Sequence, residues 1–200
     1  MKGKLTKVEI ISKKFHNVFR FTRRSAQITL KDGKIYNFIR HVFETGPAVS
    51  VLPYFYDKKK KDWFVILVKQ YRPAVDAICL EAPGGLTHDG KNLKSEMARE
   101  LLEESGIKVK ISDIKIVGKQ HLATSFCDQV VHLGIVDLKI NSSDDLEHLF
   151  KKNHGLINER EFTEVVVVPI SKVIEKADLV TYTLARFQVY DLVYRLKYNK

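Results

Sequence analysis

The chain has 200 residues, with 34 Lys and Arg against 24 Asp and Glu, a formal net charge of +10 and 44% hydrophobic residues. These proportions are typical of one globular domain with a small extension, and they exclude collagen-like, repeat and intrinsically disordered proteins. Cys79 and Cys127 are too few for a disulfide framework, and no apolar run is long enough to span a membrane. We therefore expect a soluble cytoplasmic protein without a membrane partner.

The first 70 residues are predicted to be rich in β-strands. Asp32-Gly33 predicts a hairpin turn, and the lysines at positions 58–61 predict a solvated turn between two further strands. Strands are expected where β-branched and aromatic residues concentrate, at residues 4–11, 15–22, 26–30, 34–42, 48–56 and 63–70.

The rest of the chain is predicted to mix helices and strands. The first long helix is expected over residues 93–105, where Gly106 ends it. Strands are expected at residues 114–122, 130–138 and 164–169, and helices at 146–151, 171–176 and 184–197. This order predicts an α+β or mixed layered fold, because it lacks the regular alternation of a doubly wound sheet.

One face of the helix predicted at 93–105 is acidic. At 100° per residue, Glu96, Glu100, Glu103 and Glu104 fall within an arc of about 100°. Carboxylates at these spacings repel one another unless a cation lies between them, and hard oxygen ligands select Mg²⁺ or Mn²⁺. The alternative is a plain solvated helix face. The loop at 81–85 favours the cation site, because its glycines let the backbone approach an ion or phosphate closely.

The same residues carry a resemblance to a known family. Gly85, followed by Arg-Glu-Leu-Leu-Glu-Glu-Ser-Gly-Ile at 99–107, resembles the Nudix box, and eight of its nine specified positions match. The departure is Lys91, where the family has Glu, so the salt-bridge network around Arg99 is expected to differ. Glu96, one helical turn before Arg99, is positioned to act as a replacement partner.

Segments outside the box are similar to the ADP-ribose pyrophosphatase branch, which hydrolyses nucleoside diphosphate sugars. Residues 68–74 and 80–85 resemble its strand and pre-box loop, and residues 154–161 resemble a late acidic loop that supplies a catalytic carboxylate. The resemblance implies that residues 46–200 form a Nudix hydrolase domain, a mixed β-sheet sandwiched between helices. Residues 1–45 are implied to form an extra antiparallel sheet through which two copies dimerise.

The resemblance also implies roles for individual residues. Glu100, Glu104 and the Gly84 carbonyl are the implied ligands of Mg²⁺, with Mn²⁺ as an alternative. Glu103 is implied to orient water or bind a second ion, and Glu159 or Glu161 to act as the general base, with position favouring Glu159. The implied substrate-binding residues are Arg72, Glu81 and Gly85.

The implied activity is Mg²⁺-dependent hydrolysis of ADP-ribose, or of a related nucleoside diphosphate sugar, to a nucleoside monophosphate and a sugar phosphate. GDP-mannose and UDP-glucose stay open as substrates, because Trp63 lies outside the N-terminal segment and leaves Tyr36, Phe38 or Phe43 to stack on the base. A catalytically weak nucleotide- or nucleic-acid-binding module is the alternative from another class. Dispersed lysines and the retained acids disfavour a nucleic-acid partner.

Overall fold

A computed structural model describes residues 1–15, 18–87, 90–176 and 178–198. The chain divides into two compact units, of which unit 1 contains residues 1–47 and 120–131 and unit 2 contains residues 48–119 and 132–200. Within the described residues, no helix is both long and apolar enough to cross a membrane. The assignment of residues 1–45 to dimerisation stays a prediction, because a single chain does not test it.

Unit 1 contains a three-stranded antiparallel sheet. Its strands are β1 (Lys2–Ile10), β2 (Arg20–Thr29) and β3 (Ile35–Glu44), in the order β1-β2-β3. Gly33 has a φ of 85° in the turn between β2 and β3, which confirms the predicted hairpin.

The prediction of two separate strands at 15–22 and 26–30 was wrong. Polar Arg23, Arg24 and Ser25 interrupt the apolar pattern, yet β2 pairs with β1 on one side and with β3 on the other. Hydrogen bonds on both edges keep the polar stretch extended, so β2 is continuous over Arg20–Thr29. Residues 16 and 17 of the first predicted strand lie outside the described residues.

A second sheet of seven strands has the order β10-β5-β4-β9-β8, with β6 paired to β5 and β7 to β4. Its strands are β4 (Ala48–Asp57), β5 (Asp62–Arg72), β6 (Ala77–Glu81), β7 (Gly84–Leu86), β8 (Lys115–His121), β9 (Val130–Asp137) and β10 (Glu164–Pro169). The sequence interpretation missed β6 and β7, because both are short, Pro83 lies between them and β7 begins with two glycines. Their pairing with longer strands supplies the order that local composition lacks.

Helices cover both faces of the core of unit 2. α1 (Leu93–Ser105) buries Met97 and Leu101 in the cluster that contains Val51. α2 (Ile170–Glu175) and α3 (Thr183–Tyr198) pack on a second cluster that contains Leu52. Adjacent residues of β4 point to opposite faces, so one strand serves both cores. The predicted α+β sandwich and N-terminal antiparallel sheet are therefore confirmed.

Three 3₁₀ helices complete the described secondary structure, at Ile111–Asp113, Ser143–Leu149 and Ile157–Glu159. The helix predicted at 146–151 is the second of these and begins earlier. Ser142 and Asp145 form a reciprocal capping box that fixes its start.

Candidate active site

The acidic face of α1 is largely buried at its centre. Glu100 and Glu104 are only 6% and 3% exposed, while Glu96 and Glu103 are half-buried. Burying a carboxylate is costly unless a partner compensates its charge. A plain solvated helix face does not account for Glu100 and Glu104.

The loop in front of the helix lies directly on these two carboxylates. The Gly84 N–H donates a hydrogen bond to Glu104 Oε2 at 2.9 Å. A Cβ atom at Gly85 would lie 2.5 Å from Glu100 Oε1, and one at Gly84 would clash with the Val49 carbonyl. Side chains are therefore excluded at both glycines, and the backbone forms a close-fitting cradle over the acids.

Arg99 connects the remaining carboxylates of α1. Its Nη2 donates to Glu96 Oε2 at 3.0 Å and to Glu100 Oε1 at 2.6 Å. Its Nη1 donates to Glu103 Oε2 at 2.5 Å. One guanidinium thus fixes three carboxylates, and Glu96 makes the contact that the sequence suggested in view of Lys91.

Burial alters the protonation of the two central acids. Desolvation raises the pKa of Glu100 to about 7, against the attraction of Arg99, and nearby Glu103 adds to the rise. Desolvation likewise raises the pKa of Glu104 to about 8, although the hydrogen bond from Gly84 opposes it. Both groups therefore need an additional positive charge to remain ionised near neutral pH.

The donor set of this cradle fits a hard divalent cation. Glu104 has no ion pair with a Lys, Arg or His side chain among the described residues, and carboxylate oxygens are the ligands that Mg²⁺ prefers. The described residues contain no group of three or more His, Cys, Asp and Glu side chains arranged for a metal. A cation here would therefore use Glu100, Glu104 and a backbone oxygen, for which the Gly84 carbonyl is the predicted donor.

Arg72 and Glu81 form a fork beside the acids. Arg72 Nε and Nη2 donate to the two oxygens of Glu81 at 2.7 and 2.8 Å. Glu81 raises the pKa of Arg72, and the Glu104 charge adds to the rise. Burial raises the pKa of Tyr182, and Glu81 contributes to that rise. No motif marks Tyr182, so the sequence interpretation missed its proximity to this charged group.

The late acidic loop folds back toward α1. His154 and Thr163 exchange two backbone hydrogen bonds, of 2.9 and 3.0 Å, that close the loop between them. Glu161 is half-buried, whereas Glu159 is exposed at the end of its 3₁₀ helix. Desolvation raises the pKa of Glu161, with a contribution from Glu159.

Of the two loop acids, Glu161 interacts electrostatically with the helix carboxylates. Its charge raises the pKa of both Glu100 and Glu104, and Glu103 raises the pKa of Glu161 in return. The structure thus brings Glu161 together with the acids of α1. It also brings in Arg72, which lowers the pKa of Glu161.

The aromatic residues named for base stacking have different environments. Trp63 packs against Tyr54 and Tyr56, with ring centroids 5.8 and 5.2 Å away. In unit 1, Tyr36 and Phe38 are exposed on β3. Phe43 lies in an aromatic cluster with Phe15, Phe19 and Phe21. A stacking role for Tyr36, Phe38 or Phe43 stays a prediction.

Comparison with curated proteins identifies similar pyrophosphatases, although no family model matches the chain. The chain is 29% identical over 157 residues to the ADP-sugar pyrophosphatase of Mus musculus, which covers 78% of this chain and 64% of that protein. It therefore spans slightly less than two thirds of the mouse relative. It is 28% identical over 177 residues to the GDP-mannose pyrophosphatase of Cronobacter sakazakii, covering 84% and 85% of the two chains.

Comparison with solved structures supports the same fold. The crystal structure of an ADP compounds hydrolase has a TM-score of 0.67 and 19% sequence identity, and the match covers 98% of this chain and 95% of that one. Similarity at this identity is informative about the fold alone. The curated relatives, which are pyrophosphatases of ADP-sugars and GDP-mannose, confirm the resemblance that the sequence predicted.

Proposed function

We propose that this chain hydrolyses the pyrophosphate bond of a nucleoside diphosphate sugar, with ADP-ribose as the leading substrate, to a nucleoside monophosphate and a sugar phosphate. The observation that carries the proposal is the pair of buried carboxylates, Glu100 and Glu104, beneath the Gly84-Gly85 backbone. Two buried acids without full compensation destabilise a fold, and they are explained by a cation that binds there. The names of the curated relatives point to the same class of reaction.

Mg²⁺ is the proposed cofactor, and Mn²⁺ is an alternative with the same ligand preference. Glu100, Glu104 and the Gly84 carbonyl would hold it. When bound, the ion would neutralise phosphate oxygens and lower the pKa of water. Glu103, which accepts a hydrogen bond from Arg99 at 2.5 Å, is the residue that we propose orients the attacking water.

Glu161 is the proposed general base, in preference to Glu159. Its partial burial raises its pKa above the ordinary Glu value, which strengthens the carboxylate as a base. Arg72 and Arg99 attract its charge, so the carboxylate is held among the other charged groups of the site. Glu159 is exposed and is the weaker candidate.

Arg72 is the proposed phosphate contact. A guanidinium has five N–H donors, and the fork to Glu81 uses two nitrogens. The Arg72 side chain is 43% exposed, whereas that of Glu81 is 8% exposed. The buried Glu81 therefore orients Arg72 and leaves donors free for an anionic substrate, for which Gly85 is the second predicted contact.

We also propose a cytoplasmic homodimer formed through the sheet of unit 1. The pairing register places Leu5, Val8 and Phe38 on one face of that sheet, where all three are exposed. Lys4 and Lys7 lie on the other face. A second copy would cover the exposed apolar side chains of the first face and leave the opposite face in water. The two free cysteines support a reducing compartment.

The decisive experiment is a substrate panel with product identification. The protein is incubated in H₂¹⁸O with MgCl₂ and ADP-ribose, GDP-mannose, UDP-glucose or a diadenosine polyphosphate. The products are then separated and identified by mass spectrometry. We expect a nucleoside monophosphate and a sugar phosphate, one of which carries the label, and no turnover with EDTA. The matched control is Glu104→Gln, which keeps the size of the side chain and removes its charge.

A different outcome would favour the binding-module alternative. No turnover of any nucleotide, combined with RNA or DNA binding that weakens steeply with salt, would contradict the proposed hydrolase. The base and sugar preference follows from comparing kcat/KM across the panel.

A further inference from the structure

The loop that carries Glu161 is tied to the last turn of α1 at two points. The Thr163 hydroxyl donates to the Glu104 carbonyl at 2.6 Å, and the Gly155 N–H donates to the Glu103 carbonyl at 2.8 Å. Carbonyls in the last turn of a helix have no partner within the helix. The loop therefore supplies the missing donors, and it does so at the two residues whose side chains face the site.

The hydroxyl of Thr163 has no alternative partner in solvent. Thr163 is fully buried, at 0% exposure. Removing its O–H would leave the Glu104 carbonyl without this donor in a water-poor position, which carries the penalty of an unmade hydrogen bond. The contact is thus a specific anchor between loop and helix.

Tight packing leaves this loop little freedom around the anchor. A Cβ atom at Gly155 would lie 2.6 Å from the Glu161 carbonyl oxygen, and the Glu161 N–H donates to the Leu156 carbonyl at 3.1 Å. The buried His154 ring bonds the Leu149 carbonyl through Nε2 at 2.9 Å. Movement at Thr163 would therefore be transmitted to Glu161, two residues earlier.

We propose that Thr163 is a positioning residue, which fixes Glu161 relative to Glu100 and Glu104 through its bond to the Glu104 carbonyl. The inference rests on the proposed function and deepens it. Of the two ties between the loop and α1, it assigns to the buried hydroxyl the one that lies nearer to the general base in the sequence. A displacement of about 1 Å in a reacting group can lower a rate by about 100-fold, so the anchor has kinetic consequences.

Two variants separate the hydroxyl from the rest of the side chain. Thr163→Val keeps the shape of the side chain and replaces the O–H by a methyl group, whereas Thr163→Ser keeps the O–H. We expect kcat for ADP-ribose to fall about 10- to 100-fold in Thr163→Val with KM changed less than about twofold, because binding groups stay in place. The kcat of Thr163→Ser is expected to stay within about threefold of the wild-type value, because the variant keeps the hydroxyl. Equal kcat values in the two variants would overturn the proposal.

A double-mutant cycle with Glu161→Gln separates positioning from general stability. If Thr163 acts through Glu161, adding Thr163→Val to Glu161→Gln lowers kcat by less than about twofold further. A merely structural Thr163 would lower kcat by the same factor in both backgrounds, and that result would overturn the proposal.

Amide hydrogen exchange of the peptide covering residues 155–162 measures, without any substrate, how firmly the Thr163 hydrogen bond holds the loop. We expect faster exchange in Thr163→Val than in wild type or Thr163→Ser, and equal exchange in all three would overturn the anchor. Faster exchange in Thr163→Val combined with an inactive wild type would support the hydrogen-bond anchor. That result would contradict only the proposed function.

Discussion

Glu104 combines a stability cost with a proposed catalytic role. Its folded pKa of about 8, and that of about 7 for Glu100, both lie above the ordinary Glu value of 4.5. The folded protein therefore binds these protons more tightly than the unfolded chain. The resulting stability is fully present below pH 4.5 and is lost as pH rises through 7 to 8.

Metal-free protein should accordingly become less stable between pH 5 and pH 8. In urea unfolding with EDTA, we expect the free energy of unfolding to fall over this interval, and to fall less in Glu104→Gln, whose amide does not ionise. At pH 8 the variant is expected to be more stable than wild type. A variant that follows the wild-type curve would contradict the burial effect at Glu104. Added Mg²⁺ should raise the stability of wild type more at pH 8 than at pH 5.

The same Glu104→Gln variant should be catalytically impaired. Loss of one charged ligand is expected to lower kcat/KM by on the order of 100-fold or more, while the circular dichroism spectrum stays that of wild type. Activity at the wild-type level at saturating Mg²⁺ would show that the cation binds elsewhere.

Glu161 and Glu159 offer a matched comparison, since they lie two residues apart in one loop. Glu161→Gln is expected to lower kcat by about 100- to 10,000-fold, the range for a general base. Glu159→Gln should lower kcat by less than about threefold, because the Glu159 side chain is exposed. Steady-state kinetics on both variants decide the assignment, and the reverse order would reinstate Glu159.

At the level of secondary structure, local sequence patterns predicted helix faces well, but they did not predict contacts between segments that are distant in sequence. The i, i+4 spacing of Glu100 and Glu104 placed both acids on one helix face, and the structure has them there. The preference for Glu161 over Glu159 depends on burial against α1, where one hydrogen bond joins Thr163 to Glu104, 59 positions earlier, and leaves no local pattern. β7 escaped prediction for the same reason, because it pairs with β4, which is distant in sequence. β6 pairs with the preceding strand β5 and was missed because it is short.

The C-terminal end of α1 predicts how strongly alanine at Gly106 destabilises the protein. Gly106 caps the helix with a φ of 73°, and a Cβ atom there would lie 2.6 Å from His154 Cε1. Gly33 has a φ of 85° with no atom within 4 Å of such a Cβ. Gly33→Ala should cost about 1 kcal/mol, the penalty of the left-handed conformation alone.

Gly106→Ala should cost more, because it adds displacement of His154 to the same backbone penalty. We expect a loss at least about 2 kcal/mol larger than in Gly33→Ala, measured by chemical denaturation. The variant should also exchange faster over 155–162, since His154 begins that loop. Equal losses in the free energy of unfolding for the two alanine variants would show that His154 moves aside without destabilising the protein.

For the whole molecule, the structure and sequence locate the surplus positive charge. Residues 1–47 contain 11 Lys and Arg against three acidic residues, whereas residues 48–200 contain 23 against 21. The net charge of +10 is therefore mainly a property of the N-terminal segment. In the sheet of unit 1, Leu5, Val8 and Phe38 lie on one face together with Arg24 and Arg40. Lys4 and Lys7 lie on the opposite face together with Ile39.

The exposed apolar residues around Phe38 predict how the proposed dimer should respond to an added charge. Phe38 and Ile39 are neighbours on β3, are 38% and 41% exposed, and point to opposite faces of the sheet. Phe38→Glu puts a carboxylate on the face that carries the exposed Leu5 and Val8 side chains, so we expect it to weaken a dimer by at least about tenfold in Kd. Ile39→Glu adds the same charge on the opposite face and should leave association unchanged. Sedimentation velocity over a concentration series measures both, and a monomeric wild type, or equal effects of the two variants, would contradict dimerisation through this face.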